Sequence, residues 1–131
     1  MIVSELRKQR PHGGLLDWYA AHPQSDYSLS AITLFEMQAG AERTRRQDAA
    51  KAAEIERWIL QISRTANVIP LGELEAREAA RFLHGHPSEL MEDAMIAATA
   101  STHGLVVATR NIKHFKLFGV RFVDPFVRRK S

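Results

Sequence analysis

Leu105-Val106-Val107-Ala108-Thr109, running on into Arg110-Asn111, is the stretch from which the fold is read. Four apolar residues in a row without polar alternation mark a strand buried on both faces, the setting of a parallel sheet covered by helices. The residues before it are helical in pattern. Glu92-Asp93 open Ala94-Met95-Ile96-Ala97-Ala98-Thr99-Ala100, a run of small and apolar residues closed by His103-Gly104. A cationic side chain and a glycine both suit a helix C-terminus. Beyond Asn111 the spacing predicts a short helical turn around His114-Phe115 and a last strand, Val120–Val123, ended by Asp124-Pro125.

Working outward towards the N-terminus, the same alternation recurs. Tyr27–Ser30 reads as a short strand and Thr33–Gly40 as a helix entered through Ser30 or Thr33 as cap. From Gln47 to Ala66, the residues Ala53, Ile55, Trp58, Ile59, Ile62 and Ala66 fall largely on one face of a longer helix. Val68–Leu71 is apolar, and Pro70 assigns it an edge or end position. Glu73–Leu83 is another amphipathic helix, stopped by His84-Gly85-His86-Pro87. Ile2, Val3 and Leu6 have helical spacing, and Leu15, Leu16, Trp18 and Tyr19 crowd a short helix ending before Pro23. Strands alternating with helices predict one α/β domain over residues 1–131 with a mainly parallel sheet. In such sheets, sites collect at the carboxyl ends of the strands.

Composition narrows the chemistry. The 131 residues contain no cysteine, which excludes a thiol nucleophile, a disulfide scaffold, a cysteine zinc site and a cysteine-ligated iron–sulfur cluster. No apolar run approaches the ~20 residues needed to cross a bilayer, and MIVSELRKQR has no apolar signal region, so no membrane role and a cytoplasmic setting are expected. There is no G-x-x-x-x-G-K-[ST], which removes nucleotide hydrolysis of that type. A net charge of +3 is mildly basic, with Arg7, Lys8 and Arg10, then Arg43, Arg45 and Arg46, then Arg128, Arg129 and Lys130 as clusters. Such clusters suit phosphates and equally suit solvated helix ends. His84 and His86 sit among Gly and Pro with no third ligand, so they read as an exposed turn. Trp18 and Trp58 read as core or interface residues.

Two carboxylates stand out by position. Glu36 lies in the helix that leaves the strand Tyr27–Ser30, Asp93 opens the small-residue helix, and Asn111 lies just past a strand's carboxyl end. Converging, they would make an acidic pocket for Mg2+ or Mn2+, hard cations that prefer oxygen ligands. Thr33-x-x-Glu36 also fits a capping box, and Asp93 also fits an N-cap or a partner of the helix dipole. Spacing alone does not choose between these.

The motifs around those acids resemble a known family. Ser30–Gly40, with Thr33-x-x-Glu36 and a helical glycine, is similar to the second motif of PIN-domain nucleases. Asp93–Ala100 with His103-Gly104-Leu105 resembles their third, and Val107-Ala108-Thr109-Arg110-Asn111 with Phe115 their fourth. The likeness runs from Ile2 to Pro125 and is greatest to the VapC-like toxins of toxin–antitoxin pairs, including the FitB-like branch. It implies a three-layer α/β/α sandwich and a metal-dependent ribonuclease using Mg2+, with Mn2+ as a second choice. Glu36 and Asp93 would be the metal ligands, Asn111 would orient the attacking water, and Thr33, Thr109 and Arg110 would support them. His114 stands where relatives often carry Asp and reads as peripheral. The resemblance further implies a homodimer and a cognate antitoxin as partners, beside the RNA substrate.

One departure is at the start. The family's first motif is a central strand ending in Asp, and here Met1 falls about where the third residue of that motif's triplet would stand. The first strand and its Asp are therefore expected to be missing, with translation from an internal methionine as one explanation. A non-catalytic module that only dimerises or binds an antitoxin is the alternative.

Overall fold

The computed structural model describes residues 2–3, 28–109 and 112–123. Five parallel strands form one sheet: β1 (Ile2–Val3), β2 (Ser28–Ser30), β3 (Asn67–Ile69), β4 (Val107–Ala108) and β5 (Phe122–Val123), in the order β3-β2-β1-β4-β5. Among the described residues five helices accompany them: α1 (Ala31–Arg45), α2 (Ala49–Thr65), α3 (Glu73–Leu83), α4 (Met91–Thr102) and α5 (Ile112–Leu117). A 3-10 turn, Ser88–Leu90, leads into α4. The α/β class and the parallel sheet are as the alternation of patterns predicts.

The expected gap in the centre of the sheet is filled. Ile2–Val3 pairs with β2 on one side and β4 on the other, with Ile2 level with both Ser28 and Val107 and Val3 level with Ala108. This corrects two sequence expectations, that the first central strand is missing and that Ile2 and Val3 belong to a helix. The physical reason is the backbone: β2 and β4 each present a row of N–H and C=O groups towards the middle, and buried groups of this kind require partners. Two residues are too few to carry a periodicity of 2 or 3.6, so their spacing to Leu6 was no guide. The segments holding Leu15–Tyr19, Arg110, Asn111 and the C-terminal basic cluster lie outside the described residues.

Successive residues of a strand point to opposite faces, and the core divides accordingly. Leu29 and Ala108 join Met37, Ala41, Ile59 and Ile62 beneath α1 and α2, with Trp58 packed against them. Val107 and Ile69 join Leu90, Ala94, Ile96, Ala97, Ala100, Phe115 and Phe118 on the other face, beneath α4 and α5. Helices thus cover both faces. Helix α4 is buried along most of its length, from Asp93 and Ala94 through Ile96 to Ala100, and its small side chains let it sit close against the sheet and α3. β3 is one of the two edge strands, with Pro70 just beyond it. Asn67 Nδ2 donates to Ser28 Oγ (3.1 Å), tying that edge to β2.

The turn from α4 into β4 shows why Gly104 is glycine. Leu105 N donates to Ala100 O (2.8 Å) and Gly104 N to Ser101 O (3.3 Å), the paired closure of a helix C-terminus that needs a left-handed residue. Gly104 supplies it at φ +65°.

Candidate functional site

All five strands are parallel, so their carboxyl ends share one edge of the sheet. Ser30 ends β2 there and hands the chain to α1. Its Oγ accepts from Ile32 N (3.1 Å), so Ser30 is the N-cap and α1 begins at Ala31. That start decides the reading of Glu36. A capping-box acid stands three residues after the cap, and Glu36 stands six after Ser30, more than a turn inside the helix. Thr33 and Glu36 are three apart and share one face of α1. Thr33 is fully buried and Glu36 half-buried. The capping alternative for Thr33-x-x-Glu36 is thereby removed.

Asp93 reaches the same edge from the other direction. α4 leads towards the start of β4, so its N-terminus lies at the carboxyl edge and Asp93 is its third residue. Leu90 occupies the cap position without a side-chain bond. The N-terminal N–H groups of α4 favour a negative charge here. Only 5% of Asp93 is exposed. Its Oδ2 lies 2.5 Å from His114 Nδ1 on α5, and a carboxylate can only accept, so the imidazole Nδ1–H donates. Phe115, wholly buried, fixes α5 beneath this contact. His114, read as peripheral from the sequence, therefore touches one of the two acids. The signal available was its place three residues after Asn111 on a short helix; its partner lies 21 residues away in the chain.

Thr109 follows β4 at the carboxyl edge and is fully buried. Alternation along the strand puts it on the same face as Val107, the side covered by α4. Glu36 Oε1, Asp93 Oδ1 and Thr33 Oγ1 are buried oxygens, and Glu36 and Asp93 both hold polar contacts. α1, which bears Glu36, packs on α4, which bears Asp93. Among the described residues, no three His, Cys, Asp or Glu side chains assemble into a metal cage. Arg110 and Asn111 fall outside the described residues, and their expected roles are not tested there.

The middle basic cluster is elsewhere. Arg43, Arg45 and Arg46 line a cleft of about 380 Å³ with Glu42 at the far end of α1. At 1.5 Å per residue, Arg45 lies about 14 Å along the helix from Glu36. Arg45 pairs with Glu42 (2.9 Å) and with Glu56, so part of this charge is already matched inside the protein. The guanidinium of Arg45, and then the Gln38 amide, hold the Glu42 carboxyl below its ordinary value. Among the described residues, no helix is long and apolar enough to cross a membrane.

With this geometry in place, likeness to known proteins becomes informative. The PIN domain model matches residues 2–119. The VapC ribonuclease Y4jK of Sinorhizobium fredii is 30% identical over 137 residues, covering 95% of this chain and 93% of that one. The plasmid stability protein StbB of Pseudomonas syringae pv. tomato is 29% identical over 137 residues, covering 95% and 94%. Among solved structures, FitAcB from Neisseria gonorrhoeae superposes with a TM-score of 0.75 at 27% identity, covering 96% of this chain and 99% of that chain.

Proposed function

The chain belongs to the PIN-domain family, with the VapC/FitB-like toxins of toxin–antitoxin systems, and from that premise we propose that it is a Mg2+-dependent endoribonuclease held in check by an antitoxin. The observation that carries the reading is the burial of Asp93 at the carboxyl edge of a parallel sheet, with Glu36 on the helix packed against its own. A buried carboxylate at that edge, oriented by His114, is a hard oxygen donor of the kind a divalent cation takes.

The donor set fits the ion. Mg2+ keeps several waters and takes one or two carboxylates together with substrate phosphates, so a complete protein cage is not required. Asp93 and Glu36 are oxygen donors with buried oxygens, and no thiolate competes because the chain has no cysteine. When bound, Mg2+ supplies positive charge to a scissile phosphate and lowers the pKa of the attacking water. The chain's own residues would do the rest. Glu36 and Asp93 would hold the ion, Asn111 would orient the water, and Arg110 would meet phosphate. Thr33 and Thr109 would line the buried side and exclude bulk solvent. An antitoxin segment that covers the carboxyl edge would silence the site, and a homodimer is the expected assembly.

The test is cleavage of structured RNA by the purified chain in Mg2+ or Mn2+, beside Glu36→Gln, Asp93→Asn and a chelator control. Metal-dependent cleavage lost in both variants supports the reading, and a wild-type chain inactive with both ions overturns it. A second reading has one observation in its favour. β1 ends at Val3, and the sequence has no Asp until Asp17, where the resemblance would place an Asp directly after that strand. A module that dimerises or binds an antitoxin without cleaving RNA would show that outcome, and would still form a complex with an antitoxin on a sizing column.

A further inference from the structure

Resting on the reading of Asp93 as a cation ligand, we propose that His114 is a positioning residue for that carboxylate and sets the affinity of the site for divalent ions. The contact is short, 2.5 Å from Nδ1 to Oδ2, and is mostly shielded: 6% of the Asp93 side chain and 33% of the His114 side chain are exposed. A carboxylate on a free rotor presents either oxygen at several angles. With Oδ2 committed to the imidazole N–H, the carboxylate plane is fixed, and with it the direction that Oδ1 presents to an ion. Hydrogen bonds to ligating carboxylates act in this way, orienting the donor before the ion arrives.

Three features make His114 suited to this task. It stands on α5, whose own position is held by the fully buried Phe115 and by Phe118 in the core beneath α4. The imidazole is therefore carried by a fixed helix rather than a loop. It approaches the third residue of α4, so the same carboxylate is held by the helix dipole from one side and by the ring from the other. Finally, an imidazole keeps the hard-ion character of the pair, since it reaches the site through the carboxylate instead of adding a nitrogen ligand of its own.

The experiment measures Mn2+ binding to the whole protein by isothermal titration calorimetry, for wild type, Asp93→Asn, His114→Ala and His114→Asn, with urea unfolding of each as a control on folding. Asn at 114 keeps an N–H donor near the position of Nδ1, so rescue separates positioning from bulk. The expected result is a loss of affinity on the order of 10- to 100-fold in His114→Ala, with His114→Asn within about threefold of wild type. Wild-type affinity in His114→Ala overturns the proposal, as does an equal loss in His114→Asn when both variants unfold at the wild-type urea midpoint. A His114→Ala chain that fails to fold leaves His114→Asn and His114→Gln to decide: the donor must be needed, so Gln, whose amide reaches one bond further, should bind more weakly than Asn. If the wild-type chain binds no Mn2+, or Asp93→Asn binds it unchanged, the parent reading fails and takes this inference with it; if those two behave as expected and His114→Ala does not, only this inference fails.

Discussion

Helix α4 has a histidine–carboxylate contact at each end, and the two contacts differ in nearly everything except their functional groups. At the N-terminal end, Asp93 on α4 accepts from His114, with the carboxylate buried and α5 anchored behind the ring. At the C-terminal end, His103, the last cap of α4, meets Glu75 of α3 at 2.9 Å, with 42% of the imidazole exposed. Glu75 already has work there: its Oε2 accepts from Gly72 N (3.1 Å), closing the first turn of α3. The second pair is thus a helix clip between α3 and α4. The first involves an acid that no cap requires, at the edge of the sheet where parallel α/β folds place their chemistry. The same two functional groups serve different ends because burial and position differ.

That contrast is most severely tested at Phe115. Its side chain is fully buried in the core under α4, and Phe115→Ala should lower stability by about 3–5 kcal/mol. Urea unfolding reads this directly. A loss below about 1 kcal/mol would mean that α5 is not anchored as described, and the buried pair would lose the rigidity that sets it apart from the exposed one.

Activity separates the two pairs next. Asp93→Asn should reduce metal-dependent RNA cleavage on the order of 100-fold or more, since in the proposed function it removes a ligand charge from the ion. Glu75→Gln should leave kcat/KM within about twofold, because its contacts lie at the opposite end of α4. Comparable losses in both would erase the functional distinction between the ends. A third comparison is structural. Ser30→Ala removes the side-chain bond that caps α1 and should lower stability by about 1 kcal/mol, with a smaller fall in activity through displacement of Glu36. No change in the unfolding midpoint would show that Glu36 is positioned by packing alone.

Much of this arrangement was legible in the order of residues. Glu73–Leu83 is helical over the span its amphipathic pattern gives, Pro70 marks an edge, and the unbroken apolar run at Leu105–Thr109 is central, although only Val107–Ala108 make ladder bonds. What the pattern left open was whether Glu36 closes a capping box, because a capping box and a site acid have the same spacing until the first helical residue is known. Ser30, as the cap, removes the capping-box reading through one hydrogen bond. Two features were beyond reach for different reasons. β1 is two residues long, too short to show any period, and its strand character comes from the ladders on either side of it. His114 gains its meaning from a residue 21 positions earlier, through packing of α5 on α4 that no local pattern encodes.

The smallest effect is a matter of pH, and it belongs to the exposed end. Glu75 is held below its ordinary value of 4.5, first by its own backbone N–H and then by the His103 side chain. A carboxyl with a lowered folded-state value binds fewer protons folded than unfolded, so it adds stability above about pH 4.5 and loses it as pH falls through its lowered value. The urea midpoint of wild type should therefore exceed that of Glu75→Gln at about pH 6, and the two should converge as the carboxyl becomes protonated in both states. Because 42% of the His103 imidazole is exposed, added salt should also narrow the gap at about pH 6. A gap that persists undiminished at low pH would assign Glu75 a packing role instead, and the C-terminal end of α4 would then resemble the buried end more than its hydrogen bonds suggest.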